Sequence, residues 1–298
     1  IDPAKTPIGD FHQFMLGSIA PRPIAFVSTL NDKGVPNLAP YSFFNAFSSN
    51  PPTVVFSSNR RISNNTTKDT LHNVQADGEL VINAVSYSIV RQMAVASIEF
   101  PAGVSEFEKS GLTPISSELV KPYRVKESPV QMECRVEKII PLGSEGGAGH
   151  LVICRVLLIH LREDVLDERD RINPHKIDLM GRMGRAYYVR ASGEAIYTIL
   201  QPVNKIGIGY DRLPASVRQS RILTGNDLGR LAGLQEIPPE KEIVALKSEG
   251  RIKKILESED PLEELHRYAQ RELAKENVEL AGRIAWFGEH LISKKKAN

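Results

Sequence analysis

The stretch NLAPYSFFNAFSSNPPTVVFSSNRR, residues 37–61, sets small hydrogen-bonding side chains among aromatics and ends in a basic pair. Ser42, Asn45, Ser48, Ser49, Ser57, Ser58 and Asn59 are interspersed with Tyr41 and four phenylalanines, and Arg60 and Arg61 follow directly. A planar, polar, phosphorylated ligand calls for this combination. Its ring carbonyls and nitrogens need hydroxyl, amide or backbone partners, and its faces accept apolar contact. Its phosphate needs cations, hydroxyls or a helix N-terminus. Arg60, Arg61, Asn64, Thr66, Thr67, Lys68 and Thr70 are groups of that kind, with Asp69 opposing them unless it caps a helix. A surface loop with ordinary polar turns has the same composition, and spacing leaves both readings open.

The elements around this stretch are mostly strands. PIAFVSTLNDKGVPNLAPYSFF has the form of a β-hairpin about Asn31-Asp32-Lys33-Gly34. TVVFSSN (53–59) is a further strand after Pro51-Pro52, which mark a corner. TKDTLHNVQADGE predicts a short helix capped by Thr67 or Asp69 and stopped by Gly78. ELVINAVS (79–86) is a strand, SIVRQMAVAS (88–97) a short helix, and VQMECRVEKIIPLG and HLVICRVLLIHLRED are long strands about a Gly-rich loop at 144–150. Strands outnumber helices, which favours an antiparallel barrel over a Rossmann sheet.

Beyond about residue 200 the pattern turns helical. Thr224 and Asp227 form a capping-box-like start, and Asp260-Pro261 supplies a cap and a first-turn proline. Leu262, Leu265, Ala269, Leu273, Leu280, Ile284, Phe287 and Leu291 then fall at helical spacing, with one polar slot at Asn277. This predicts a long helical run docked by one apolar stripe. The organisation expected is a barrel domain over 1–202 and a helical C-terminal extension over 203–298.

The 298 residues carry 38 basic and 36 acidic side chains, a net charge of +2 that argues for neither nucleic acid nor an anionic membrane surface. The SKKK tail (293–296) reads as a solvated end. No apolar run reaches the length of a membrane span, and the first residues lack the core of a secretion signal. Cys134 and Cys154 read as buried thiols in a reducing compartment, so the expected location is cytoplasmic. Six of the seven histidines are scattered without metal-ligand spacing, and no metal site is expected. KIGIGYD (205–211) lacks the third glycine of a dinucleotide fingerprint.

GSIAPRPIAFVSTLNDKGVPNLAPYSFFNAFSSNPPTVVFSS closely resembles the N-terminal half of the flavin reductase-like, FMN-binding split-barrel family, which includes flavoredoxin and the reductase components of two-component flavin monooxygenases. KDTLHNVQADGELVINAV, GHLVICRV and IDLMGRMGRAYYVR resemble later segments of the pattern, so the resemblance covers roughly residues 11–202. It implies a six-stranded antiparallel split β-barrel with short helices, a homodimer, and FMN near the subunit interface. Carried over, Ser28, Thr29, Pro40, Tyr41, Ser42 and Asn45 would line the isoalloxazine, and Ser57, Asn59, Arg60, Lys68 and Thr70 the ribityl chain and phosphate. His150 would lie at the reactive face, with NAD(P)H as co-substrate and a redox partner or monooxygenase component downstream.

Monooxygenase-type reductases carry an acidic residue between the glycine and histidine, whereas this chain reads Ala148-Gly149-His150. That keeps three functions open: an NAD(P)H:FMN oxidoreductase, a flavoredoxin-like electron carrier, and a non-catalytic FMN-binding scaffold. Arg22, between two prolines, suits either a rigid turn or a reach to cofactor or partner, and Tyr187 and Tyr188 suit core packing.

Overall fold

In the computed structural model, which describes residues 1–101, 103–199 and 206–297 with side chains through 292, the first hairpin forms as expected. Strands β1 (Ala25–Leu30) and β2 (Pro36–Tyr41) pair antiparallel. Their turn is held by the Asn31 side chain, whose Oδ1 accepts from the backbone of Lys33 and Val35, and Gly34 supplies the left-handed φ of +75°.

The rest of residues 37–61 forms two more strands rather than one. β3 (Phe44–Ser49) and β4 (Pro52–Asn59) pair antiparallel, with Ser49 opposite Pro52. Pro52 has no N–H to give a ladder, and it stands at the strand's first position, where none is required. With β5 (Glu79–Ala84), β8 (Val130–Pro141) and β9 (Gly149–Leu161), these make one seven-stranded antiparallel sheet in the order β2-β1-β5-β8-β9-β4-β3. The expected six-stranded antiparallel split barrel is thus corrected in its strand count, to a seven-stranded antiparallel sheet. The additional strand is β3, which the aromatic and serine pattern had merged with its neighbour. Two short ribbons, β6 (Pro114–Ile115) with β7 (Arg124–Val125) and β10 (Met180–Arg182) with β11 (Tyr188–Arg190), complete the strands.

Both faces of β1 are covered, and its residues Ala25 to Thr29 are fully buried. Ala25 and Val27 join Tyr41, Phe56, Leu71, Val74, Ile82, Cys134, Val152 and Cys154 in one core. Phe26 joins Leu38, Val85, Ile89, Met93, Phe107 and Val125 in another. Helix α2 (Asp69–Ala76) covers the first core with Leu71 and Val74. Helices α3 (Val90–Val95) and α4 (Glu106–Ser110) cover the second with Met93 and Phe107. Helix α1 (Ile8–Ser18) buries none of its residues, and α5 (Pro174–Ile177) is a single turn capped by Asn173. Cys134 and Cys154 are free, buried thiols.

Arg22 is a bolt. Its guanidinium donates to the carbonyls of Leu16 and Ile19 at the end of α1 and, at 2.9 Å, to that of Met183. Tyr187 and Tyr188, expected in a core, are instead exposed beside the short ribbon, with the Arg182 guanidinium 4.5 Å from the Tyr188 ring centre.

The chain divides into two compact units, Ile1–Tyr197 and Thr198–Asn298. The expected boundary after residue 202 lies outside the described residues, as do Lys205 of KIGIGYD and the side chains of SKKK. The second unit contains α6 (Ala215–Arg218), α7 (Gly225–Ala232), α8 (Glu240–Ala245), α9 (Gly250–Leu256), α10 (Pro261–Leu273) and α11 (Val278–Ala297). Thr224 and Asp227 cap each other reciprocally, and Asp260 accepts from the Glu263 N–H. The long run is broken at its polar slot: Glu276 takes φ +64° and Asn277 donates to Glu272, separating α10 from α11. Leu265, Ala269, Leu273, Ile284 and Phe287 then meet Leu213, Val217, Leu231 and Ile252 in the unit's own core. No described helix is long and apolar enough to cross a membrane.

Candidate functional site

Strand alternation divides the predicted residues between the two faces of the sheet. Thr29 lies opposite Asn37 and Tyr41 opposite Ala25, on the face of the Val27 core. Ser58 lies opposite His150 on that same face, in step with Phe56 and Val152. Ser28 opposite Leu38 and Pro40 opposite Phe26 occupy the other face. Asn45 opposite Val55, Ser57 opposite Leu151 and Asn59 opposite Gly149 alternate away from the Phe56 core.

On the inner face, side chains of β1, β2 and α2 form one network. Asn73 Nδ2 donates to Thr29 Oγ1 at 2.9 Å, and Asn37 Nδ2 donates to Thr29 Oγ1 at 3.3 Å and to Thr70 Oγ1 at 2.9 Å. The Tyr41 hydroxyl stands beside those of Thr70 and Ser58, and burial pushes its pKa up to about 12. It makes no hydrogen bond of good geometry, and neither do the buried Ser28 and Ser58 hydroxyls. Buried polar atoms are almost always paired, and of these three the Tyr41 and Ser58 hydroxyls share the inner face, where they stand beside each other, whereas Ser28 lies on the other face.

Above the Tyr41 ring, 5.0 Å from its centre, stands the Lys68 ammonium. Among the described residues it makes no hydrogen bond or ion pair. Burial, and then the charge of Arg61, lower its pKa. Lys68 is also the N-cap of α2, and no side chain caps that helix; Thr67 Oγ1 instead meets His72 Nε2 at 2.7 Å, and Asp69 is the first helical residue. The expected Thr67 or Asp69 cap is therefore absent, leaving the N–H groups of the first turn without a side-chain partner.

The loop from β4 to α2 is built by its own arginines. Arg60 donates from its backbone to Ala148 O at 2.9 Å and from its guanidinium to Asn65 Oδ1 and O, at 2.5 and 2.6 Å. Asn65 takes the left-handed φ of +55° that asparagine tolerates. Arg61 donates to Thr66 Oγ1 at 2.9 Å and Thr67 O at 2.6 Å, and pairs with Glu99 at 2.7 Å.

On the outer face Ser57 Oγ donates to Asn59 Oδ1 at 2.8 Å, and Asn59 Nδ2 donates to Gly147 O at 3.2 Å. A Cβ at Gly149 would stand 2.5 Å from Ser57 Oγ and 3.3 Å from Asn59 Oδ1, which explains the glycine before His150. Ser42 is half-buried, and Asn45 is exposed with its Oδ1 accepting from the Ala46 N–H.

His150 is buried, its Nδ1 3.2 Å from Ser58 O. A carbonyl only accepts, so Nδ1 carries the proton that this contact uses. His150 lines a cavity of about 460 Å³ with Val74, Gln75, Val136, Glu137, Lys138 and Ile139. Lys68, Tyr41 and Thr70 are not among its walls. The structure thus brings Thr29, Tyr41, Lys68 and Thr70 together, and Ser57 with Asn59. It sets Ser28, Pro40, Asn45 and His150 apart from the Lys68 group. Asn37, Asn73 and Glu99 were not singled out in the sequence; alternation from Thr29 marks Asn37, whereas nothing in the sequence marks Glu99.

The model of the flavin reductase like domain family matches residues 16–185, more than half of the chain. The chain belongs to the flavin reductase-like family. As a member of it, the chain has flavin-related oxidoreductase chemistry. It is similar to nitrilotriacetate monooxygenase component B from Bacillus cereus, with 34% identity and a TM-score of 0.62, covering 66% of this chain and 97% of that one. It is similar to the 2-nitrobenzoate 2-nitroreductase NbaA of Pseudomonas fluorescens, with 28% identity and a TM-score of 0.59 over 70% and 99% of the two chains. A split-barrel protein from Shewanella frigidimarina, 21% identical with a TM-score of 0.57 over 66% and 94%, shares the fold of this flavin reductase-like chain.

Proposed function

We propose that this chain is an FMN-binding oxidoreductase that takes hydride from NADH or NADPH and passes reducing equivalents to a redox partner or monooxygenase component. The observation that carries the reading is the meeting of Lys68, Tyr41 and Thr70 at the uncapped start of α2. An ammonium without a hydrogen bond or ion pair among the described residues and free helix N–H groups suit a phosphate. The orphaned hydroxyls of Tyr41 and Ser58, side by side on the inner face, suit the polar edge and side chain of a flavin. The residues fit the cofactor.

When bound, FMN supplies a ring system that accepts a hydride and releases electrons singly or in pairs. Lys68 and the first turn of α2 would hold the phosphate, with Thr70 toward the ribityl chain. Thr29 and Tyr41, which share the inner face with Lys68 and Thr70, would orient the ring, with Ser42 following Tyr41 at the end of β2. His150 at the cavity wall would position a nicotinamide amide without itself moving a proton. The similarity to nitrilotriacetate monooxygenase component B supports a two-component system.

A second copy of the chain belongs to the proposal. Phe14, Met15 and Ile19 at α1, Phe47 on the edge strand β3 and Tyr187 are exposed apolar side chains of the kind a homodimer covers. The electron-carrier reading is favoured by one observation, the burial of His150, which limits its reach toward a nicotinamide.

The visible spectrum of the purified protein, followed anaerobically after FMN and then NADH or NADPH, tests the proposal. Prompt bleaching by nicotinamide supports the reductase. Bleaching by dithionite alone selects the electron carrier, and no FMN binding removes both.

A further inference from the structure

Arg61 has two kinds of partner. Nη1 is committed to the loop, donating to Thr66 Oγ1 and Thr67 O, and these bonds hold the segment that delivers Lys68 to the start of α2. Nη2 is taken by the Glu99 carboxylate at 2.7 Å. Arg61 is mostly buried, with a side-chain exposure of 22%, whereas Glu99 is 66% exposed and held by no other ion pair or hydrogen bond among the described residues. A guanidinium fixed on one side and closed on the other by an exposed carboxylate is a phosphate-type recognition group in contact with an acidic stand-in. Both residues act electrostatically on Lys68, Arg61 against its charge and Glu99 in favour of it. The same two residues therefore bear on the cation assigned to the phosphate.

We infer that Glu99 competes with the flavin phosphate for Arg61 and so sets how tightly this chain retains FMN. This rests on the phosphate site proposed above. A phosphate at Lys68 gains Arg61 only by displacing Glu99, and the displaced carboxylate then repels it. The consequence is a flavin that exchanges with solution, as suits a chain handing reduced flavin to a partner, rather than one permanently held. Thr66 and Thr67 keep the guanidinium in place whichever anion occupies it.

Titration of FMN and riboflavin into the full chain, followed by flavin fluorescence, tests the inference with wild type, Glu99→Gln, Glu99→Asp, Arg61→Gln and the double variant Arg61→Gln/Glu99→Gln. Glu99→Gln is expected to tighten FMN about two- to fivefold, the range of one partly exposed charge pair. It should leave riboflavin, which has no phosphate, unchanged. Glu99→Asp should return the wild-type affinity, and on the Arg61→Gln background the Glu99 change should no longer tighten FMN. Equal FMN affinities for wild type and Glu99→Gln, or an equal gain for riboflavin, would overturn the inference alone. Failure of every variant to bind FMN would remove the phosphate site and the inference with it.

Discussion

The Lys68 ammonium stands over the face of the Tyr41 ring, which packs in turn on Phe56 with ring centres 5.1 Å apart. A cation carried by the N-cap residue of α2 is thus seated on the inner core. Replacing it with Lys68→Gln removes the charge but keeps the stem. FMN affinity is expected to fall about tenfold or more, the scale of one charge-assisted hydrogen bond, while riboflavin affinity holds. Calorimetric titration of both flavins checks this; equal losses for the two would place Lys68 on the ring instead of the phosphate.

Gly149→Ala drives a Cβ to 2.5 Å from Ser57 Oγ in the β4–β9 ladder. The expected cost is about 1–3 kcal/mol of stability, as for other overpacked interiors. The companion change Ser57→Gly clears the obstruction, so the double variant should regain much of the loss. Urea unfolding of the four proteins of that cycle measures it; independent, additive losses would mean that the two positions do not collide.

Alkaline pH should weaken the first unit through two buried acids. Burial pushes both the Tyr41 phenol and the Cys154 thiol up to about 12. Their folded pKa values lie above the unfolded ones, so folding favours the neutral forms. That contribution is complete below about pH 9 for the thiol and about pH 10 for the phenol, and is lost as pH rises toward 12. Unfolding midpoints from pH 8 to pH 11 should decline in wild type and less steeply in Tyr41→Phe. Neither thiol should react with a disulfide reagent at pH 8 until the protein is unfolded.

Glu133 sets the acid limit of another part of the unit. The carboxylate is fully buried, yet it accepts from the Glu118 and Leu119 N–H groups at 2.8 and 2.6 Å and from His160 Nε2 at 2.7 Å. Burial alone would raise its pKa, but these bonds outweigh it and the net shift is downward. Its stabilisation is present above the ordinary carboxylate range and lost as pH falls through the lowered value. Glu133→Ala orphans three donors and should cost about 2–4 kcal/mol at neutral pH. Denaturation between pH 3 and pH 7 should show a flatter acid decline in the variant.

Much of this was readable from residues, and the misreadings have physical causes. The Asn31–Gly34 turn, the Gly78 stop and the Thr224–Asp227 cap are local, decided within four or five residues, and each formed as its chemistry dictates. The break at Asn277 was marked as a polar slot but not as a turn, because one polar residue costs a helix little until a left-handed neighbour joins it. The third strand within 37–61 escaped notice because β3 is an exposed edge whose side chains need no strict alternation. Residue types picked out Lys68 and Thr70, but only the fold reveals that Arg60 spends its guanidinium on its own loop and that Arg61 divides its own between that loop and Glu99. Glu99 lies some forty residues from Arg61, and the pair exists only through tertiary structure.

The Arg22 bolt also has a bearing on the order in which the chain leaves the ribosome. Every strand of the seven-stranded sheet has been synthesised by Leu161, but the carbonyl on which Arg22 closes belongs to Met183. The link that runs from α1 through Arg22 to the segment around Met183 is therefore completed only after the sheet. A nascent or truncated chain ending between those residues holds the whole sheet but lacks that link.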